Sequence, residues 1–149
     1  MYEAADYDLW NSVKKKIATR ESPLFHEREV WITSIGLNIG TEMNGKQQLY
    51  MRPVLVLRKL NRHQFIGVPL STKQQESLYS VALGAVHFLV SDSACICTHM
   101  RTYSSKRLQR RIGRIAEKKW LKVIQKSAGL LTPPQVPFGN NAMIISPPQ

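Results

Sequence analysis

Residues 52–72 read RPVLVLRKLNRHQFIGVPLST, from Arg52 to Thr72. Two apolar runs rich in Val, Leu, Ile and Phe flank the polar turn Asn61-Arg62-His63. Each run has the length of a short strand, and so brief a turn joins strands in antiparallel fashion. Pro53 fits the first strand position, where a ladder N–H is least missed. Another strand is expected upstream at 28–36, REVWITSIG, followed by a long polar loop. Downstream, SLYSVALGAVHFLVSD (77–92) reads as a hairpin turning near Gly84, and SACICTHMRTY (93–103) as one strand. KRLQRRIGRI (106–115) is a basic connection with a further short strand or turn near Ile112-Gly113.

Helical spacing appears at both ends of this β-rich stretch. In 6–20, Leu9, Trp10, Val13 and Ile17 form an apolar stripe, and Asp6 or Asp8 can cap the start. Pro23 breaks that helix, which is expected to lean on the main domain. In 116–131 the expected buried face is Trp120, Leu121, Ile124, Ala128 and Leu131, with Gly129 near the end. The organisation is therefore a helical extension at 1–27, one domain at 28–131 and a tail at 132–149. The tail is rich in proline, glycine and asparagine and is expected to be irregular or disordered. Helix, five or six short strands and helix make an α+β protein, mainly β. Its form is a small barrel or strongly bent sheet with a helix packed on it.

The chain has 149 residues, enough for one domain with a real core. Its 21 Lys and Arg against 10 Asp and Glu leave a net charge of +11. That excess points to a polyanionic partner: nucleic acid, an acidic protein or an anionic membrane surface. No stretch is long enough to span a bilayer, and the acidic start MYEAADYDLW lacks the plan of a signal peptide, so a cytoplasmic protein is expected. Cys95 and Cys97 would point to one face of a strand, which does not suit a disulfide between them. His99 extends the row, but three ligands on a straight strand diverge, so buried thiols are expected rather than a metal site.

Four residues at strand ends invite a chemical reading: Glu42, Arg52, Ser71 and Thr72. They are either ordinary loop residues or the parts of a phosphodiester-cleaving site. Arginine offers a planar, permanently charged fork for phosphate, hydroxyls can donate to its oxygens, and a carboxylate can take a proton. That set suffices for transesterification of RNA, in which the 2′-hydroxyl attacks the adjacent phosphorus. There is no GxxxxGK[ST] loop, and the carboxylates are too scattered to suggest a two-metal nuclease. From Arg101 to Lys126 the chain carries Arg107, Arg110, Arg111, Arg114, Lys118 and Lys119 with Glu117 as the only acid. So one-sided a run suggests a polyanion-binding surface. Tyr103 and Trp120 are candidates for stacking on bases, although Trp120 falls on the apolar helix face.

These pieces, in order, resemble the MazF/PemK family of type II toxin–antitoxin ribonucleases. The anchors are Gly40-Thr41-Glu42, Arg52-Pro53, Pro69-Leu70-Ser71-Thr72, Arg101-Thr102 and Arg107-Leu108. The resemblance covers roughly residues 28 to 131. It implies a small SH3-like barrel with a C-terminal helix, usually a homodimer. It also implies metal-free, sequence-specific cutting of single-stranded RNA to 2′,3′-cyclic phosphate and 5′-hydroxyl ends, with no cofactor. A cognate acidic antitoxin would block the RNA groove, and the complex would bind DNA. By the same resemblance Arg52 is the principal catalytic arginine, Ser71 the catalytic hydroxyl with Thr72 beside it, and Glu42 a loop acid. Lys73, Thr98, His99 and Arg101 fall where RNA would bind. The chain departs from the family pattern at Ile96 and Thr98, where some members carry arginine and aspartate, and in a longer loop between Glu42 and Arg52. The competing class is a non-catalytic SH3-like module that binds nucleic acid or poisons a protein target such as gyrase.

Overall fold

The computed structural model describes residues 2–133; the tail expected over 132–149 lies outside the described residues from 134 onward. In chain order the elements are α1 (Ala4–Ala18), β1 (Glu29–Ser34), β2 (Met51–Asn61), β3 (Gln64–Ser71), β4 (Ser80–Gly84), β5 (Ser93–Ile96), β6 (Arg101–Ser104), β7 (Leu108–Arg114) and α2 (Glu117–Gly129). The strands form one 7-stranded sheet in the order β4-β5-β3-β2-β1-β7, with β6 also paired to β3. Each of these pairings is antiparallel. This is the expected α+β class, although strand pairing among the described residues leaves the sheet open. No helix among the described residues is long and apolar enough to cross a membrane.

The centre of the sheet is buried on both faces, which is why Val54-Leu55-Val56-Leu57 is a continuous apolar run rather than an alternating one. Leu55 and Leu57 join Val68, Leu70, Val81, Ile115 and Val123 on the α2 side. Val54 and Val56 point the other way, to Phe25, Trp31, Phe65, Tyr103 and Leu108. A third, smaller cluster of Trp10, Ile17 and Leu37 fastens α1 to the domain.

Several expectations give way to tertiary pairing. β2 begins at Met51, so Pro53 is its third residue; it stands opposite Ile32 of β1, whereas the β3 ladder starts only at Val54 and Pro69. The strand expected over 93–103 is broken by a 3-10 turn at Cys97–His99. The break lets the chain divide one edge of β3: β5 pairs with Leu70 and Ser71, and β6 pairs with Gln64 to Gly67. Cys95 and Cys97 therefore do not share a strand, yet both are buried and unbonded, and burial pushes both thiols up. In 77–92 only β4 is a strand; it ends at Gly84, whose φ is +71°, and its partner is β5. The basic connection near Ile112-Gly113 is a full strand along β1.

The helices are rotated from their expected faces. In α2 and just past its end, Val123 and Ser127 are buried while Trp120, Ile124 and Leu130 are half-buried; Leu121, Ala128 and Leu131 are exposed. The Trp120 indole donates to the Leu57 carbonyl at 2.9 Å, which sets that rotation. In α1 the cap is Glu3, in reciprocal hydrogen bonds with Asp6, and Leu9 lies exposed.

Glu29, at the start of β1, is 4% exposed. It accepts from the Trp31 indole at 2.7 Å, the His26 amide at 3.0 Å and the Arg111 guanidinium at 3.3 Å. Burial works to raise its pKa, but these donors outweigh burial and hold it below the usual 4.5. A depressed folded pKa stabilises the fold above the unfolded value, and that contribution fades as pH falls through the folded one. Glu29→Gln should thus cost about 1–3 kcal/mol at pH 7. Urea unfolding should show that gap narrowing below pH 4.5.

Candidate active site

The β2–β3 register decides where the predicted residues meet. The β2–β3 ladder ends at Val54 and Pro69, and Arg52 and Ser71 each lie two residues beyond that end on their own strands, Ser71 pairing there with Ala94 of β5. Side chains alternate along strands, which puts Arg52, Val54, Pro69 and Ser71 on one face. Across β3, Tyr103 pairs with Phe65 and Arg101 with Gly67, so Arg101 belongs to that face too. At the same end lies a cleft of about 290 Å³. The loop after β1 lines it with Asn38, Glu42 and Met43, β3 with Pro69, the 3-10 turn with Thr98, His99 and Met100, and β6 with Arg101 and Tyr103. A larger, shallower hollow of about 530 Å³ at the other end of β3 and β6 is lined by Arg62, His63 and Tyr103 but by none of the residues that the resemblance assigns to catalysis or RNA binding.

Arg52 is half-buried and stands opposite Thr33 of β1. Its Nε donates to the Asn44 carbonyl at 2.5 Å. Neither terminal nitrogen has a hydrogen-bond partner among the described residues, so the fork is fixed at its base and free at its tips. Burial lowers the guanidinium's pKa, and the nearby Tyr2 phenol acts in the opposite sense. The loop that supplies the Asn44 carbonyl is itself tied down. Asn44 Oδ1 accepts from the Asn38 amide at 2.6 Å, and Asn38 Nδ2 donates to the Met43 carbonyl at 2.7 Å. Gly45 follows because no side chain fits: a Cβ there would lie 1.7 Å from the Tyr50 carbonyl oxygen. The sequence reading missed Asn38 and Asn44; the Asn44-Gly45 pair was their only local signal, and it marks a turn rather than a site.

Ser71 closes β3 and is 9% exposed, with its Oγ accepting from the Lys73 amide at 3.2 Å. Thr72 and Lys73 are exposed just beyond it. Glu42 is exposed in the cleft wall, and its Oε1 accepts from the Ile39 amide at 3.3 Å. His99 Nε2 contacts the Thr41 carbonyl at 3.1 Å. A carbonyl only accepts, so Nε2 carries the hydrogen, and in the neutral ring Nδ1 accepts from the Thr98 hydroxyl at 3.3 Å. The Arg101 guanidinium sits 4.9 Å from the centre of the Tyr103 ring. Two groups thus emerge: Arg52 and Ser71 at adjoining strand ends, and Glu42, Thr98, His99 and Arg101 around the cleft. Pro69 and the Asn38–Asn44 loop link them. Among the described residues no three His, Cys, Asp or Glu side chains converge as a metal site would require.

The aromatic and basic candidates sort differently from expectation. Tyr103 is 2% exposed and stacks on Phe65 at 5.5 Å, so it is core rather than a platform for bases. Burial pushes its phenol up to about 12. Arg107 lies inward: it donates to the Ser34 carbonyl at 3.1 Å and covers the Trp10 ring at 5.8 Å, and burial lowers its pKa. Arg111 is held by Glu29, Lys119 by the Ala82 carbonyl and Lys126 by Glu76. Arg110, Arg114 and Lys118 are exposed without a polar side-chain partner among the described residues. If these cations contact phosphates, Arg110→Ala and Arg114→Ala should each lower the slope of log affinity for single-stranded RNA against log salt by roughly 0.7. Filter binding from low to high salt measures it, and an unchanged slope assigns both to solvent.

Comparison with known proteins agrees with this architecture. Residues 27–129 match the family model of PemK-like, MazF-like toxins of type II toxin–antitoxin systems. Among solved structures, MazF from Deinococcus radiodurans is similar at a TM-score of 0.56 and 19% identity, over 75% of this chain and 98% of that one. Toxin MazF-mt6 from Mycobacterium tuberculosis is similar at 0.55 and 18%, over 70% and 96%. A mycobacterial endoribonuclease, solved in complex with its cognate antitoxin, is similar at 0.55 and 18%, over 74% and 95%. At such identities the likeness is one of fold. No curated protein matches the chain.

Proposed function

Since the chain belongs to the PemK-like, MazF-like toxins of type II toxin–antitoxin systems, we propose that it is a metal-independent, sequence-specific endoribonuclease of single-stranded RNA. The observation that carries this reading is the Arg52 fork, anchored through Nε to the Asn44 carbonyl, with neither terminal nitrogen hydrogen-bonded among the described residues. Such a fork can donate two parallel hydrogen bonds to a phosphoryl group as its charge builds. Ser71 and Thr72, at the same end of the sheet, are the hydroxyls that would donate to the non-bridging oxygens. Lys73, Thr98 and Arg101 hold the strand, and Glu42 and His99 are the groups in the cleft wall suited to carry a proton.

In the reaction the substrate's O2′ loses its proton to the enzyme and bonds to phosphorus. The P–O5′ bond breaks, and O5′ takes a proton. The products end in a 2′,3′-cyclic phosphate and begin with a 5′-hydroxyl. The protein acts in the cytoplasm as a homodimer. An acidic antitoxin covers the cleft, drawn by the chain's net charge of +11, and the toxin–antitoxin complex binds DNA; a mycobacterial endoribonuclease of the same fold is solved with its cognate antitoxin.

Purified protein should cut single-stranded RNA in excess EDTA and leave the matching DNA intact. A stoichiometric acidic antitoxin from the neighbouring reading frame should stop the cutting. Magnesium-dependent cleavage would refute the metal-free mechanism, and activity surviving saturating antitoxin would refute occlusion of the cleft.

A further inference from the structure

The helix α1 precedes the family domain, which the matched region opens at residue 27. It nevertheless packs on the loop that holds Arg52. Trp10 meets Tyr50 edge to face at 5.5 Å. The Tyr7 hydroxyl donates to the Asn38 carbonyl at 3.2 Å, and the Tyr50 hydroxyl donates back to the Asp6 carbonyl at 3.3 Å. Gly36, at φ +89°, makes room for this contact: a Cβ there would lie 2.4 Å from the Trp10 ring. The Tyr50 carbonyl in turn accepts from the amides of Ile35 and Gly36, closing the base of the loop. At its other end α1 is clamped to the segment before β7. Arg20 donates to the Lys106 and Leu108 carbonyls at 3.3 Å, and Lys106 Nζ donates to the Ala18 carbonyl at 2.8 Å.

A continuous chain of contacts therefore runs from α1 through Asn38 and Asn44 to the Arg52 guanidinium. We propose that α1 is a strut that fixes the 35–50 loop and so aims the Arg52 fork, with Trp10 and Tyr50 as positioning residues. Without the strut the loop keeps its internal Asn38–Asn44 and Asn38–Met43 bonds but loses the α1 contacts at Asn38 and Tyr50 that fix it against the domain. A long polar loop freed in this way samples many conformations, and Arg52 Nε then spends much of its time bound to water. The consequence for chemistry rests on the ribonuclease reading: a misaimed fork weakens transition-state stabilisation more than ground-state binding of RNA.

The test combines two readouts in the full chain. The Arg52 Nε–H resonance, assigned by its loss in Arg52→Ala, should exchange slowly with solvent in wild type and rapidly in Trp10→Ala. Single-turnover cleavage with enzyme in excess should slow roughly tenfold to hundredfold in Trp10→Ala while RNA affinity changes little. Trp10→Ala added to Arg52→Ala should slow cleavage no further, because both act through one group. Should Trp10→Ala unfold the domain, Tyr7→Phe with Tyr50→Phe removes two hydroxyls and leaves the core filled for the same comparisons. An Arg52 Nε–H equally protected in wild type and variant, or fully additive losses, overturns the strut. A wild-type chain that does not cut RNA overturns the ribonuclease reading instead, and the exchange measurement still decides the strut.

Discussion

Arg52→Ala is expected to slow RNA cleavage by about a hundredfold to a thousandfold while RNA affinity falls only a few-fold. The reason lies in what the guanidinium does at each stage. In the ground state the scissile phosphate carries a single charge, and on the proposed reading Arg101 and Lys73 share in holding the strand. As O2′ attacks, negative charge grows on the non-bridging oxygens, and a donor already aimed there gains energy without reorganising. On the proposed reading Arg52 is such a donor, since its Nε bond to the Asn44 carbonyl and its half-burial fix it before substrate arrives. Arg52→Lys should recover little of the rate. An ammonium restores the charge, but one nitrogen cannot both hold the Asn44 carbonyl and present a two-pronged donor. Single-turnover rates and equilibrium binding on the same RNA separate the two effects. A variant that loses affinity in proportion to rate would make Arg52 a binding residue only.

How far the sequence foretold this arrangement depends on the kind of residue. The strands around Asn61-Arg62-His63 were legible because their apolar runs are set by burial on both sheet faces, a property written locally. The break at Cys97–His99 was not. SACICTHMRTY has strand composition throughout, and only the division of one β3 edge between β5 and β6 explains the turn. The rotation of α2 was hidden for a similar reason: Leu121 and Val123 look alike in sequence, and the Trp120 bond to the Leu57 carbonyl chooses between them. Charge misled in its own way. Arg107 belongs by sequence to the basic run, yet it is folded against Trp10 and the Ser34 carbonyl. In the candidate site, Arg52 and Ser71 were singled out through strand ends and family spacing, and both lie at the same end of the sheet. Asn38 and Asn44, which hold the loop, were missed because a loop's internal hydrogen bonds leave little trace in composition.

The second large effect comes from the substrate, and it tests the central claim that the nucleophile is the ribose 2′-hydroxyl. That hydroxyl is covalently placed beside the phosphorus, so the enzyme need not bind and orient a water. Removing it takes away the attacking atom and leaves the protein and nearly all RNA contacts unchanged. The decisive substrate is therefore an RNA with one 2′-deoxyribose, placed immediately 5′ to the cut. It should bind about as well as the parent strand. In excess EDTA the parent should yield fragments ending in a 2′,3′-cyclic phosphate and beginning with a 5′-hydroxyl. The substituted strand should stay intact at that bond, a loss larger than any side-chain replacement produces. Cleavage of the deoxy-substituted bond, or fragments beginning with a 5′-phosphate, would contradict the account and point to attack by water.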